Sequence, residues 1–143
     1  MFVVTFNFCC SPQNGTSEKK MINDSIFKIE TNLSAFGVES DNFPSIDGCI
    51  DFLHDSSGFI KSYYNPAFKG TTYSLSHIEI KRVMELLQNA DLEKLKNEYK
   101  VGMSDQPTST ITIYTSKRKF IIKDYGLEGE YPLKELYKIV YKF

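Results

Sequence analysis

The chain has 143 residues, 41% of them hydrophobic and 24% charged, and its 17 Lys and Arg nearly balance 18 Asp and Glu. This length fits one domain with its own core, and a net charge of −1 gives no overall attraction to nucleic acid or anionic membranes. With 8 Gly, 5 Pro and 14% aromatic residues, the composition excludes collagen and wholly disordered chains.

The first twenty residues change composition abruptly. Residues 1–10 (MFVVTFNFCC) are apolar apart from Thr5 and Asn7, whereas residues 11–20 are polar. This boundary indicates an apolar, signal-like remnant over 1–10 and a polar linker over 11–25, with Cys10 as a candidate for lipid attachment. The alternative is an edge strand or a frayed terminus. We favour export, either to the periplasm or as a lipid anchor on the envelope, over a cytoplasmic location. No apolar run is long enough for a transmembrane span.

Three strands are predicted next, because apolar and polar residues alternate with a period of two. The first covers 26–33 and the second 46–53, with Asp47 and Asp51 opposite the apolar side. Residues 54–58 (HDSSG) predict a turn that ends in a glycine with positive φ, and residues 59–64 form the hairpin partner.

Two helices follow in the prediction. Ser76 and Glu79 have the spacing of a capping box, flanked by Leu75 and Ile80 as a hydrophobic staple. An apolar stripe with helical spacing continues through Ile80, Val83, Met84 and Leu87. Asp91 caps a short second helix, which would turn Leu92, Leu95 and Tyr99 inward and end before Gly102.

The last part of the chain predicts a hairpin and a third helix. The β-branched residues 108–115 pair with 118–125 across a turn at Ser116 and Lys117. Pro132 suits the first turn of a helix with one apolar stripe and a lysine-rich opposite side. The order β-β-β-α-α-β-β-α predicts one α+β domain over 26–143: an antiparallel sheet of about five strands with helices packed on one face.

Sequence patterns that would indicate catalysis, metal binding or disulfide bonds are weak in this chain. It has 3 cysteines, two of them adjacent, and 2 histidines without paired ligand spacing, so we expect no disulfide framework, no metal site and no cofactor. The sequence contains no nucleophile elbow, phosphate loop or zinc-protease motif. We therefore predict no catalytic residues.

Five residues are weak binding candidates. Asp47, Asp51 and His54 lie on the second strand and its turn, but residues four apart on a strand are separated by about 13 Å, too far for a glycosidase carboxylate pair. Asp105 lies in a polar loop near Tyr99, where it either fixes the turn before Pro107 or contributes to a recognition surface. The basic residues Lys117, Arg118, Lys119 and Lys123 are interpreted as protection of an edge hairpin, and we expect no nucleic-acid binding.

Residues 99–126 (YKVGMSDQPTSTITIYTSKRKFIIKDYG) contain a tyrosine, an Asp-x-Pro loop, a Thr-rich strand and a basic-apolar strand. This stretch resembles a bacterial domain-of-unknown-function family of small exported or lipid-anchored proteins, and the resemblance extends over about 27–143. Phe36-Gly37 lies where that family has a Cys-x-Gly-x-Cys-Pro element. No cysteine occurs between Ser11 and Gly48 here, so redox or metal chemistry is not carried over.

Together these observations favour a non-enzymatic binding or interaction domain whose partner is a protein or an envelope ligand. An enzyme or enzyme inhibitor remains the alternative, with Asp47, Asp51, His54 and Tyr99 brought together from distant loops. A third hypothesis is an immunity-type partner of a toxin.

Overall fold

A seven-stranded sheet dominates the computed structural model, which describes residues 24–38, 40 and 42–143. The elements in chain order are β1 (Ile26–Ser34), β2 (Ser45–Asp51), β3 (Ser56–Ser62), β4 (Thr71–Tyr73), α1 (His77–Gln88), β5 (Glu98–Lys100), β6 (Thr108–Thr115), β7 (Lys119–Tyr125) and α2 (Leu133–Val140). The strand order is β4-β3-β2-β1-β6-β7-β5. All neighbouring pairs are antiparallel except β5 and β7, which are parallel.

The predicted fold class is therefore wrong. The sheet is mixed and has seven strands instead of about five antiparallel ones, and the predicted second helix is a single 3-10 turn at Leu92–Lys94. Asp91 does cap this turn, because its side chain accepts the N–H of Glu93. Tyr99, expected on that helix, lies on β5. The two strands missed, β4 and β5, have three residues each, too few to show an alternating pattern.

The hairpin of β2 and β3 turns earlier than predicted. Its turn occupies 52–55, so Gly58 lies within β3 opposite Cys49. The residue with positive φ is Asp55, at 48°, rather than the glycine. Aspartate tolerates this left-handed conformation better than most residues because its short polar side chain can form local hydrogen bonds.

Helix α1 begins as its sequence predicts. The Ser76 side chain accepts the N–H of Glu79, and the Glu79 carboxylate accepts the N–H of Ser76, which completes the capping box. Ile80, Val83 and Leu87 are buried on one side of the helix, and Leu75 is buried just before it. The predicted hairpin of 108–115 with 118–125 is also present, as β6 and β7.

The core lies between the two helices and the inward side of the sheet. It contains Ile29, Ile46, Ile50, Ile111, Ile113 and Ile122 from the strands and Leu133, Leu136, Val140 and Tyr141 from α2 and its end. Gly48 on β2 also belongs to this side, because the Phe59 ring crosses it and stacks on Tyr73 at 4.9 Å between centroids. A Cβ atom at Gly48 would lie 2.0 Å from Cδ1 of that ring.

Three tyrosine hydroxyls join the C-terminal region to the sheet. Tyr73 donates to the Val140 carbonyl at 2.6 Å, Tyr137 donates to Asp124 at 2.7 Å, and the hydroxyls of Tyr141 and Ser109 lie 2.7 Å apart. Burial raises the pKa of Tyr73 to about 12. Burial also raises the pKa of Tyr137 and of Tyr141 above the ordinary value.

The raised pKa values of these three tyrosines predict that the domain unfolds at alkaline pH. In the unfolded chain tyrosine loses its proton near pH 10, whereas the folded domain holds these protons to higher pH. Their contribution to stability is therefore complete below about pH 10 and is lost as the pH rises through the folded values. We expect the melting temperature to fall steeply above about pH 10, measured by circular dichroism. Complete tyrosine ionisation, seen by ultraviolet absorbance, in a domain that stays folded would contradict this.

The predicted N-terminal segments lie almost entirely outside the described residues. This applies to the remnant over 1–10, to Cys10 and to residues 11–23 of the linker. Ser25 is described and packs on the β6–β7 turn, where its carbonyl accepts the N–H of Ser116. Within the described ranges, the structure has no helix with the length and apolar character needed to cross a membrane.

Candidate functional site

The residues proposed for an enzyme site lie apart. Asp47 and Asp51 are on β2, and Tyr99 is on β5 at one edge of the sheet. Strands β1, β6 and β7 lie between them, which corresponds to a separation of about 19 Å at ordinary strand spacing. The four residues Asp47, Asp51, His54 and Tyr99 therefore do not form one constellation.

Asp51 and His54 do meet, at the β2–β3 turn. One Asp51 carboxylate oxygen accepts the N–H groups of Leu53 and His54 at 3.0 and 3.2 Å, and the other lies 2.6 Å from Nδ1 of His54. A similar contact joins Asp55 to His77 at the start of α1. These pairs fix the turn and attach it to the helix. Across the described residues, no group of three or more His, Cys, Asp or Glu side chains is placed to hold a metal ion.

Tyr99 lies inside the domain with its hydroxyl engaged. It accepts the Lys96 N–H at 3.0 Å and donates to Glu130 at 2.9 Å. Burial raises its pKa, and the hydrogen bond to Glu130 acts in the same direction. Asp105, in contrast, is exposed in loop 101–107, has a φ of 60° and accepts a hydrogen bond from the Ser104 hydroxyl.

Asp124 is a buried carboxylate that was not predicted. It is 0% exposed and accepts the N–H of Glu128 at 2.9 Å, the N–H of Gly129 at 2.7 Å and the hydroxyl of Tyr137 at 2.7 Å. It thereby holds loop 126–132 against α2. The alternation of Phe120 and Ile122 already places position 124 on the inward side of β7, so the sequence contained this signal.

A cavity of about 360 Å³ opens where β1 begins, beside the β6–β7 turn and the end of α1. Arg118 is held at its rim by ion pairs with Asp24 and Glu93, and its guanidinium lies 4.9 Å from the centroid of the Phe120 ring. A hydrogen bond from the Thr115 side chain is the main reason that the pKa of Asp24 is below its ordinary value. Strand β5 pairs only with residues 123–125 of β7 and does not reach Arg118, so the interpretation of Arg118 as edge protection stays a prediction.

A second surface is formed by three loops at one end of the sheet. We call it the loop-end surface: the described loop residues 35–38, 40 and 42–44, together with loops 63–70 and 101–107, which follow β1, follow β3 and precede β6. Phe36 is 94% exposed and Tyr64 is 91% exposed, and Met103 and Phe68 are also exposed. Sequence reasoning missed these aromatic side chains because nothing in the pattern distinguishes them from core residues.

The side of the sheet opposite the core forms a third surface, the open face. Its side chains contact each other across the central strands. The Tyr114 hydroxyl donates a hydrogen bond to the Glu30 carboxylate at 2.7 Å, and the Lys28 ammonium group lies over the Tyr114 ring. Burial raises the pKa of Glu30, but the hydrogen bonds from Lys28 and Tyr114 outweigh it and leave that pKa below its ordinary value. Asp47 belongs to this face and accepts a hydrogen bond from Asn32.

In the part of the chain that the structure describes, these features define a small domain with a mixed sheet, two helices and three accessible surfaces. The chain belongs to the family described as Domain of unknown function (DUF6438), whose profile matches residues 56–143. The resemblance to a domain-of-unknown-function family is thus confirmed, over a shorter range than the predicted 27–143. Comparison with curated proteins and with solved structures gave no match.

Proposed function

We propose that this domain is a non-enzymatic binding module that contacts a protein ligand through its loop-end surface. The observation that carries the proposal is the exposure of Phe36 and Tyr64, at 94% and 91%. The strands that lead to them, β1 and β3, lie on either side of β2, so the two loops emerge about 10 Å apart.

Exposed aromatic side chains suit this role for an energetic reason. Burying a large apolar side chain is worth about 1.5–3 kcal/mol, and here that free energy is not used in folding. Aromatic residues are also enriched among the residues that dominate binding at protein interfaces. The preferred ligand is therefore a protein with apolar pockets for two aromatic side chains.

Residues next to Tyr64 pack on one another, and hydrogen bonds hold loop 101–107. The Tyr63 ring packs on Phe68 at 5.5 Å between centroids, with the Lys61 ammonium group 5.7 Å from the Tyr63 centroid. In loop 101–107 the side chain of Gln106 donates to the Ser104 carbonyl, and its N–H donates to the Tyr125 hydroxyl. Asp105 would then lie on the polar rim of the interface.

Export and envelope tethering belong to the same proposal, with residues 1–10 as the membrane-directed segment and Cys10 as the lipid-attachment candidate. An inhibitor of an enzyme and an immunity-type partner of a toxin are special cases of a protein-binding module. The identity of the ligand would distinguish them.

The test is cross-linking in cells of the source organism, followed by fractionation and mass spectrometry. We expect a cross-linked partner in the envelope fraction that is lost from the double variant F36A/Y64A. The matched control is L53A/I78A, which removes two exposed apolar side chains near the β2–β3 turn, at the opposite end of the sheet. Equal cross-linking of both variants, or a partner found in the cytosol, would contradict the proposal.

A further inference from the structure

Charged residues on the open face are arranged in an ordered pattern. Strand register places side chains of four central strands in transverse rows. One row is Asp47, Asn32, Thr110 and Lys123, and a second is Asp51, Lys28, Tyr114 and Lys119. Across these four strands each row runs from a carboxylate on β2 to a lysine on β7. Asp51 is already bound within the β2–β3 turn, and the first row continues to Glu98 on β5, so Asp47 and Lys123 are the pair that carries the pattern.

The carboxylates on β2 form an acidic strip and the lysines on β7 form a basic strip. The charged residues on β1, which lies between the two strips, neutralise each other. Strands β2 and β7 are three strand spacings apart, about 14 Å. Between them, the Lys28 ammonium group lies 2.5 Å from a Glu30 carboxylate oxygen. An acidic strip and a basic strip thus lie at equal distances from the line between β1 and β6.

From this symmetry we infer that the open face binds a second copy of the chain, sheet against sheet. A two-fold axis along the line between β1 and β6 places β2 of one copy over β7 of the other. Asp47 then faces Lys123 of the second copy, and the same pair recurs by symmetry. Because each residue lies in the same transverse row as its counterpart, the pairing needs no shift along the strands.

The size and composition of the face fit such an interface. The sheet is about 29 Å wide across its seven strands and about 23 Å long at its centre, while β4 and β5 have only three residues each. Its flat area is somewhat below the roughly 800 Å² per partner of a standard interface. Ile60 and Ile121 are about half exposed on this face and supply apolar contact. Two twisted sheets can pack with strand directions within about 30° of each other.

Charge reversal tests the inference on the full chain by sedimentation equilibrium. We expect a monomer–dimer equilibrium that weakens with salt. D47K and K123E should each raise the dissociation constant about tenfold, because each substitution replaces two attractive pairs by two repulsive ones. The double variant D47K/K123E should restore dimerisation, because it re-forms both pairs with opposite sign.

Matched controls are E85K and K81E on exposed positions of α1, which make the same charge changes away from the open face. They should dimerise like the native chain. Recovery in the double variant excludes misfolding as the cause of the single-variant effects. A chain that stays monomeric, or a dimer that D47K and K123E do not weaken, would overturn the inference. Phe36 and Tyr64 are not on this face, so the two proposals fail independently.

Discussion

Replacing Asp124 by alanine should destabilise the domain by about 3–5 kcal/mol. The carboxylate is fully buried and accepts hydrogen bonds from Gly129, Glu128 and Tyr137. Alanine would leave these donors without their acceptor, and an unsatisfied buried donor costs about 1–3 kcal/mol. The Gly129 N–H and the Tyr137 hydroxyl have no route to water without movement of loop 126–132. Urea unfolding gives the free energy directly.

The control for this prediction is Asp47→Ala, because Asp47 is exposed and its hydrogen bond to Asn32 lies at the surface. We expect it to cost less than about 1 kcal/mol. The variant Asp124→Asn should fall between the two, since the amide keeps one acceptor oxygen but turns an N–H group toward a donor. If Asp124→Ala were as stable as Asp47→Ala, the carboxylate would not be holding the loop.

Replacing Gly48 by alanine should cost about 3 kcal/mol, although it adds a single methyl group. That methyl would meet Cδ1, Cε1 and Cγ of the Phe59 ring at 2.0, 2.5 and 2.7 Å. The ring is buried and stacked on Tyr73, so it cannot move aside without opening the core. Overpacking of this kind forces strained side chains or a shift of the backbone.

Gly58→Ala is the matched control, because Gly58 lies on the neighbouring strand opposite Cys49 and a Cβ atom there meets nothing within 4 Å. We expect it to leave the stability unchanged or to raise it slightly by restricting the unfolded chain. Thermal unfolding of the two variants side by side measures the difference. Equal stabilities would mean that Phe59 adapts to a side chain at position 48.

Local signals in the sequence predicted local structure well. The capping box of α1 depends on two residues three apart, and the β6–β7 hairpin depends on adjacent strands joined by a short turn. Strand β5 could not be found this way, because three residues carry no periodicity and its pairing with β7 joins segments more than twenty residues apart. The pattern around Tyr99 correctly predicted that its side chain is buried. It placed Tyr99 on a helix, whereas the residue lies on β5.

The same distinction applies to the surfaces. The contact of Asp51 with His54 joins residues three apart and is accessible to sequence reasoning. The contact between Arg118 and Glu93 depends on the tertiary fold. The exposure of Phe36 and Tyr64 depends on where three loops end, and no spacing in the sequence encodes it. Asp124 lies between these two cases. The alternation of β7 predicts that its side chain points inward, but its hydrogen-bond partners depend on the tertiary fold.

The position of β1 has a consequence for how the folding unit is defined. This first strand is central: it pairs with β2 on one side and with β6, about eighty residues later, on the other. The family match starts at Ser56 and omits both β1 and β2. Without them, β3 and β4 would be separated from β6, β7 and β5, and the sheet would divide into two fragments. The segment recognised by sequence is therefore smaller than the cooperative unit, which needs the chain from Ile26 onward.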